Sequence, residues 1–265
     1  TYESEIKLQV GDYVKVPFGK SIITGVVWNE FEKANETIYK ELGSRFENIV
    51  KGVDANTNWQ LLEQELNTEV YRLHDEEGKT SVLNLVSIAS SVYAAKAGVD
   101  LSTIILKMVD QNIGESSNSD SILLSILPTL PAPEEDVMIN ANISISLLNS
   151  IKEADKSVSD LFKSSVLNIS LASLSIKTID LDATGIFSES ELSSLTPDAA
   201  IVIYQSISNA SSISSIISNR ISDTNMDDAV EKTTEIKTLI DNAEGDSLEE
   251  KVQNYLGSIA GESKL

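Results

Sequence analysis

Residues 196–221 read TPDAAIVIYQSISNASSISSIISNRI, and this stretch decides the fold. Thr196-Pro197-Asp198 is a helix start, with proline at the first helical position, where its missing N–H costs nothing. Apolar side chains then recur at Ile203, Ile207, Ala210, Ile213, Ile217 and Ile221, the spacing of one helix face. Ile201, Val202, Tyr204 and Ile216 widen that face beyond a narrow seam. Between Asp198 and Arg220 there is no charge at all, although 23% of the chain is charged. Long charged side chains normally mark the wet face of a surface helix. The pattern predicts burial on more than one side, either in the centre of a bundle or at a subunit contact.

The same periodicity extends outward in both directions. Toward the C-terminus, two charged helices are expected at about 226–243 and 247–260. Toward the N-terminus, Ile139, Ile143, Leu147, Ile151, Ala154, Val158 and Leu161 form one stripe, which Val166, Leu171, Leu174 and Ile176 continue or restart. Earlier helices are read through Phe31 to Val50, through Leu62, Leu66, Val70 and Leu73 behind an Asn58 cap, and from Ser81 to Gly98. Another runs behind an Asp100 cap through Ile104 and Ile105. Residues 128–135, PTLPAPEE, hold three of the five prolines and read as a linker between two helical halves. The N-terminus differs. Ile6, Leu8 and Val10 alternate, and two further short apolar runs end at Trp28, separated by Gly11-Asp12 and Pro17-Phe18-Gly19-Lys20. The expected architecture is mainly α, a helical bundle with a small N-terminal β segment. Its parts are 1–28 (β), 29–127 (helical), 128–135 (linker) and 136–265 (helical).

Composition narrows the function. The 265 residues suffice for a core without staples, and with only 5% aromatics that core must be built from Ile, Leu, Val and Ala. A net charge of −21 opposes phosphate backbones, so nucleic acid is the wrong kind of partner for most of the surface. The absence of cysteine excludes disulfides, thiolate zinc sites and cysteine nucleophiles, and a single histidine, His74, excludes multi-histidine metal sites. No run reaches the ~18 continuous apolar residues of a membrane span. Serine is abundant, but a serine nucleophile needs a base and an oxyanion site, and neither a Gly-x-Ser-x-Gly elbow nor a phosphate-cradling glycine loop is present. The expectation is a protein without catalytic activity.

One loop carries possible ion chemistry. Asp180-Leu-Asp182-Ala-Thr184-Gly185-Ile186-Phe-Ser188-Glu-Ser-Glu191 resembles an EF-hand loop. The resemblance implies calcium, with oxygen ligands from Asp180, Asp182, Thr184, Ser188 and Glu191, the backbone carbonyl of Ile186, and Gly185 at the tight turn. Phe187 stands where a smaller aliphatic residue is usual, and no second loop is visible. The same residues also read as a polar loop ending in a helix N-terminus, with Ser188 as cap and Glu191 as its box partner.

A second resemblance covers residues 10–28. Val10-Gly-Asp-Tyr-Val-Lys-Val-Pro-Phe-Gly-Lys20 followed by Thr24-Gly-Val-Val-Trp28 is similar to the N-terminal β segment of the primosomal replication-restart helicase PriA family, and also to SH3-like small barrels. In the helicases that segment belongs to a DNA-binding domain. The helicase motifs themselves are missing after Trp28. The leading expectation is a non-catalytic structural or assembly protein, packed among other protein subunits in an oligomer or larger complex. Its composition suits a soluble component of a phage particle. A calcium-responsive interaction module and a DNA-metabolism accessory are the alternatives.

Overall fold

A computed structural model describes residues 13–18, 21–26, 44–77, 81–112, 121–180, 185–220 and 224–262. The chain divides into two compact units, Thr1–Arg45 and Phe46–Leu265. In the first, β1 (Tyr13–Phe18) pairs antiparallel with β2 (Ser21–Val26), from Tyr13 opposite Val26 to Phe18 opposite Ser21. Among the described residues the two strands pair only with each other, and a sheet edge is where Pro17 is tolerated. The first strand read from the sequence, Ile6 to Val10, and Trp28 lie outside the described residues, as does most of the helix expected from Phe31; residues 44–50 are helical.

The second unit is helical throughout its described part: α1 (Trp59–Glu77), α2 (Ser81–Lys96), α3 (Leu101–Asn112), α4 (Ser121–Ile126), α5 (Glu135–Asn149), α6 (Val158–Lys177), α7 (Glu189–Leu192), α8 (Pro197–Arg220), α9 (Thr224–Asn242) and α10 (Leu248–Glu262). Sequence signals explain many of the ends. The Asn58 side chain accepts the Leu61 N–H at 3.2 Å, and Asp100 accepts those of Ser102 and Thr103 at 3.0 and 3.2 Å. Gly98 closes α2 at φ +69°, a conformation that favours glycine, and passes so close to Pro131 that a Cβ would sit 3.3 Å from its ring. Thr196 accepts the Ala199 N–H at the start of α8.

The centre of the unit is α6. Every residue from Ser164 to Lys177 is buried. It packs chiefly against α8, and also against α5, α4 and α3, while α2 and α1 pack on α5. Polar side chains in this core are satisfied locally or in pairs. Ser170 and Ser175 donate to carbonyls one turn back. Ser165 meets Ser214 across the α6–α8 contact at 3.2 Å. Ser90 and Ser144 each donate to the other's carbonyl oxygen, or to the other's hydroxyl, where α2 crosses α5.

Two expectations are corrected. The stripe from Ile139 to Leu161 is not one helix. A short 3-10 turn, Glu153–Asp155, interrupts it, because Ser157 and Asp160 form a capping box that starts α6 afresh. The Pro-rich stretch 128–135 lies inside the second unit, where it runs as a 3-10 turn, Leu127–Thr129, followed by a strap. One continuous core joins Ala94, Ile104 and Leu123 on one side of it to Leu148, Leu174, Ile207 and Leu256 on the other. The Lys177 ammonium, buried at the end of α6, donates to the Leu127 and Leu130 carbonyls at 3.1 and 2.6 Å. Those carbonyls look free in the sequence because their partner is about fifty residues away.

Candidate functional site

The turn between α6 and α7 starts inside the core. Asp180 lies three residues beyond the end of α6 and is fully buried. Its carboxylate accepts the Gly185 N–H at 2.7 Å. Gly185 has φ +70°, and a Cβ there would lie 3.3 Å from Leu124 of α4, so only glycine both adopts the turn and passes the helix. At the far end, the Ser188 hydroxyl accepts the Glu191 N–H at 3.3 Å. Glu191 returns the bond, its Oε2 accepting from the Ser188 N–H at 2.7 Å and from the Ser188 hydroxyl at 2.6 Å. Ile186 is exposed and Phe187 packs against the core.

Of the six candidate ligand positions, Asp180, Ile186, Ser188 and Glu191 are therefore brought onto one turn, while Asp182 and Thr184 lie outside the described residues. The capping box read at Ser188 and Glu191 is realised. The turn carries one carboxylate before a left-handed glycine and a second three residues after a hydroxyl, but among the described residues no group of three or more acidic or histidine side chains could hold a metal ion. A cation bound there would compete with the hydrogen bonds that Glu191 already accepts.

The second candidate surface is α8. Its inward face, Ala200, Ile203, Ile207, Ala210, Ile213 and Ile217, is buried against α6, with α9 and α10 alongside. Three neighbouring helices thus cover it on more than one side, as expected, and its outward face is exposed. Ile201, Gln205, Asn209, Ser212, Ser215 and Asn219 are exposed along one stripe. The whole stripe is uncharged, and the only charges on the helix, Asp198 and Arg220, are exposed at its ends. Among the described residues α8 is also the one helix long and apolar enough by composition to cross a membrane, but 44% of its most apolar window is buried inside the unit.

Two side-chain clusters have the composition of catalytic groups. His74 lies edge-on to Tyr71, with ring centroids 6.1 Å apart, at the charged end of α1. The Tyr71 hydroxyl donates to Asp155 at 2.7 Å and accepts the Lys152 N–H at 2.9 Å, and burial with that carboxylate pushes its pKa up to about 12. This cluster ties α1 to the α5–α6 turn. A serine–amine pair that the sequence did not suggest joins Ser87 to Lys163, whose Nζ donates to both the hydroxyl and the carbonyl oxygen at 2.8 Å. Burial lowers the Lys163 pKa, as an amine base would need. Ser87 nevertheless sits mid-helix in α2, where neighbouring N–H groups are used within the helix and none is left to hold an oxyanion. The two residues are 76 positions apart, and no local signal connects them.

No family model, curated protein or solved structure matches this chain.

Proposed function

We propose that this chain is a non-catalytic structural protein that works by packing its helical surface into an assembly. The observation that carries the reading is the uncharged outer stripe of α8. A solvated helix in a chain with 41 acidic and 20 basic residues gains solubility from charges on its wet face, yet six exposed positions along α8 have none. Serine, asparagine and glutamine there lose little when a neighbour covers them, provided their hydrogen bonds are replaced. The test is the mass in solution of the wild type against a Gln205→Glu/Ser212→Glu variant. Both substitutions are exposed, so the melting temperature should hold while the assembled mass falls. A wild type that stays monomeric across its soluble concentration range refutes the reading.

The geometry at Asp180 favours a second reading, a calcium-responsive loop. Asp180, Ser188, Glu191 and the Ile186 carbonyl would hold the ion, together with Asp182 and Thr184. Glu191→Gln separates this from a purely structural cap. Glutamine still serves in a capping box, so stability should be nearly unchanged, whereas calcium affinity should drop sharply with loss of the bidentate carboxylate. Calorimetry that detects no calcium binding to the wild type leaves the turn as a cap alone.

A further inference from the structure

We propose that α1 is a pH-sensitive cover on the bundle, held shut while the Glu63 side chain is protonated and loosened when it ionises. The argument starts from how α1 is attached. It packs chiefly on α5 and α2. Its buried side chains, Leu62, Leu66, Val70 and Leu73, lie outside the continuous core around α6 and α8. A helix docked in this way can open without unfolding the rest, because stability is not uniform across a structure. Opening uncovers those apolar side chains and their seat on α5.

Beside that apolar stripe runs a polar one. Glu63, Asn67 and Tyr71 recur every fourth residue, so they share one face of the helix. All three meet the end of α5 and the turn after it. The Asn149 amide donates to Glu63 Oε1 at 3.1 Å, and the Asn67 amide donates to the Ser150 carbonyl at 2.6 Å. The Tyr71 hydroxyl donates to Asp155 at 2.7 Å and accepts the Lys152 N–H, and the Lys152 ammonium lies over its ring.

Of these three, Asn67 does not titrate, and Tyr71, with its pKa at about 12, keeps its proton at neutral pH. Glu63 differs. It is half-buried, its donor is a neutral amide, and among the described residues no ion pair reaches it. Taking a carboxylate out of water without a paired cation favours its neutral form. Burial accordingly raises the Glu63 pKa, and the Asn149 amide, the charge of Lys156 in the turn and Ser146 offset only part of the rise. Lys156 is itself half-buried and is shared with Glu153 and Asp160. α2 contributes no charge to Glu63, since its only one, Lys96, lies over the Tyr93 ring. A pKa raised in the docked state means that docked α1 holds the proton more tightly than open α1 does. The cover is therefore fully held below the ordinary value of 4.5 and progressively loosened as pH rises through the docked value.

Hydrogen exchange on the full chain reads the opening directly. Protection of residues 62–73 in α1 is compared with that of residues 166–176 in α6, in acid and at neutral pH, after correction for the intrinsic pH dependence of exchange. On going to neutral pH, α1 should lose protection at least about threefold more than α6, the effect of half a pKa unit. Glu63→Gln keeps an acceptor for Asn149 and cannot ionise. It should remove that difference and leave α1 protected at both pH values. His74→Gln is the control, because histidines change charge in the same range, and it should leave the response intact. The cover is overturned if α1 and α6 exchange in step at both pH values, if Glu63→Gln still responds, or if His74→Gln alone abolishes the response.

Discussion

Lys177 offers the sharpest test of how this bundle is held together. Its ammonium is buried beneath the Pro-rich strap and donates to the Leu127 and Leu130 carbonyls, and Leu127 and Leu130 are themselves part of the core. Lys177→Met keeps most of the aliphatic stem and removes the donors. Two charge-assisted hydrogen bonds are lost and two carbonyl oxygens lose their partner, at about 1–3 kcal/mol for each unsatisfied group. Relief from burying a charge offsets part of that. The net expectation is about 2–4 kcal/mol of destabilisation, a fall in melting temperature of roughly 4–16 °C for a unit of this size. Urea unfolding followed by helical circular dichroism would measure it, with Lys251→Met as control. Lys251 also donates to a backbone carbonyl, that of Asp241 at 2.9 Å, but at a more exposed site, and its loss should cost less than about 1 kcal/mol. If Lys177→Met costs no more than the control, the strap is not held by this amine, and the account of a single core across residues 128–135 fails.

Ile213 is 9% exposed and packs with Leu161 and Ile217 where α8 crosses α6. Ile213→Asp should therefore cost more than about 4 kcal/mol and unfold the unit in a thermal scan, by creating a cavity and burying a carboxylate. Glu63 is pushed above the ordinary carboxylate pKa by burial, and its Oε1 accepts from the Asn149 amide at 3.1 Å. A raised folded pKa means that stability is fully present below the unfolded value of 4.5 and is lost as pH rises through the folded value. Glu63→Gln, which still accepts from Asn149, should be more stable than wild type at neutral pH and equal to it in acid. Chemical denaturation at both pH values checks this, and a difference that persists in acid contradicts it.

The helical architecture was legible where caps and periodicity agreed. Thr196-Pro197-Asp198 opens α8 where expected, Gly98 closes α2, and Asn58 and Asp100 cap as read. The central place of α6 was hidden. Its sequence carries Asp160, Lys163, Asn168 and Lys177, which in isolation look like a wet face. Two are held locally, Asp160 in its own capping box and Asn168 on the Ser164 carbonyl, and two by partners that a local window cannot reveal, Lys163 at Ser87 and Lys177 at the strap. The missing charges of α8 rightly pointed to cover on more than one side, but not to which face stays exposed, because short polar side chains tolerate water as readily as a neighbour. At the candidate loop, the three-residue spacing of Ser188 and Glu191 foretold the capping box, and Gly185 foretold the left-handed turn. Spacing alone does not distinguish carboxylates that hold a helix end from carboxylates that hold an ion, because both uses need the same oxygens in the same places.

The central claim is that the uncharged face of α8 is covered in the working state. The most direct test is the solution mass of the purified chain by sedimentation equilibrium, over a range of concentrations. The expected result is a mass above the 28.7 kDa of one chain, lowered by Gln205→Glu/Ser212→Glu without loss of helix. A single species at 28.7 kDa at every concentration, or an assembly indifferent to those two charges, would contradict it.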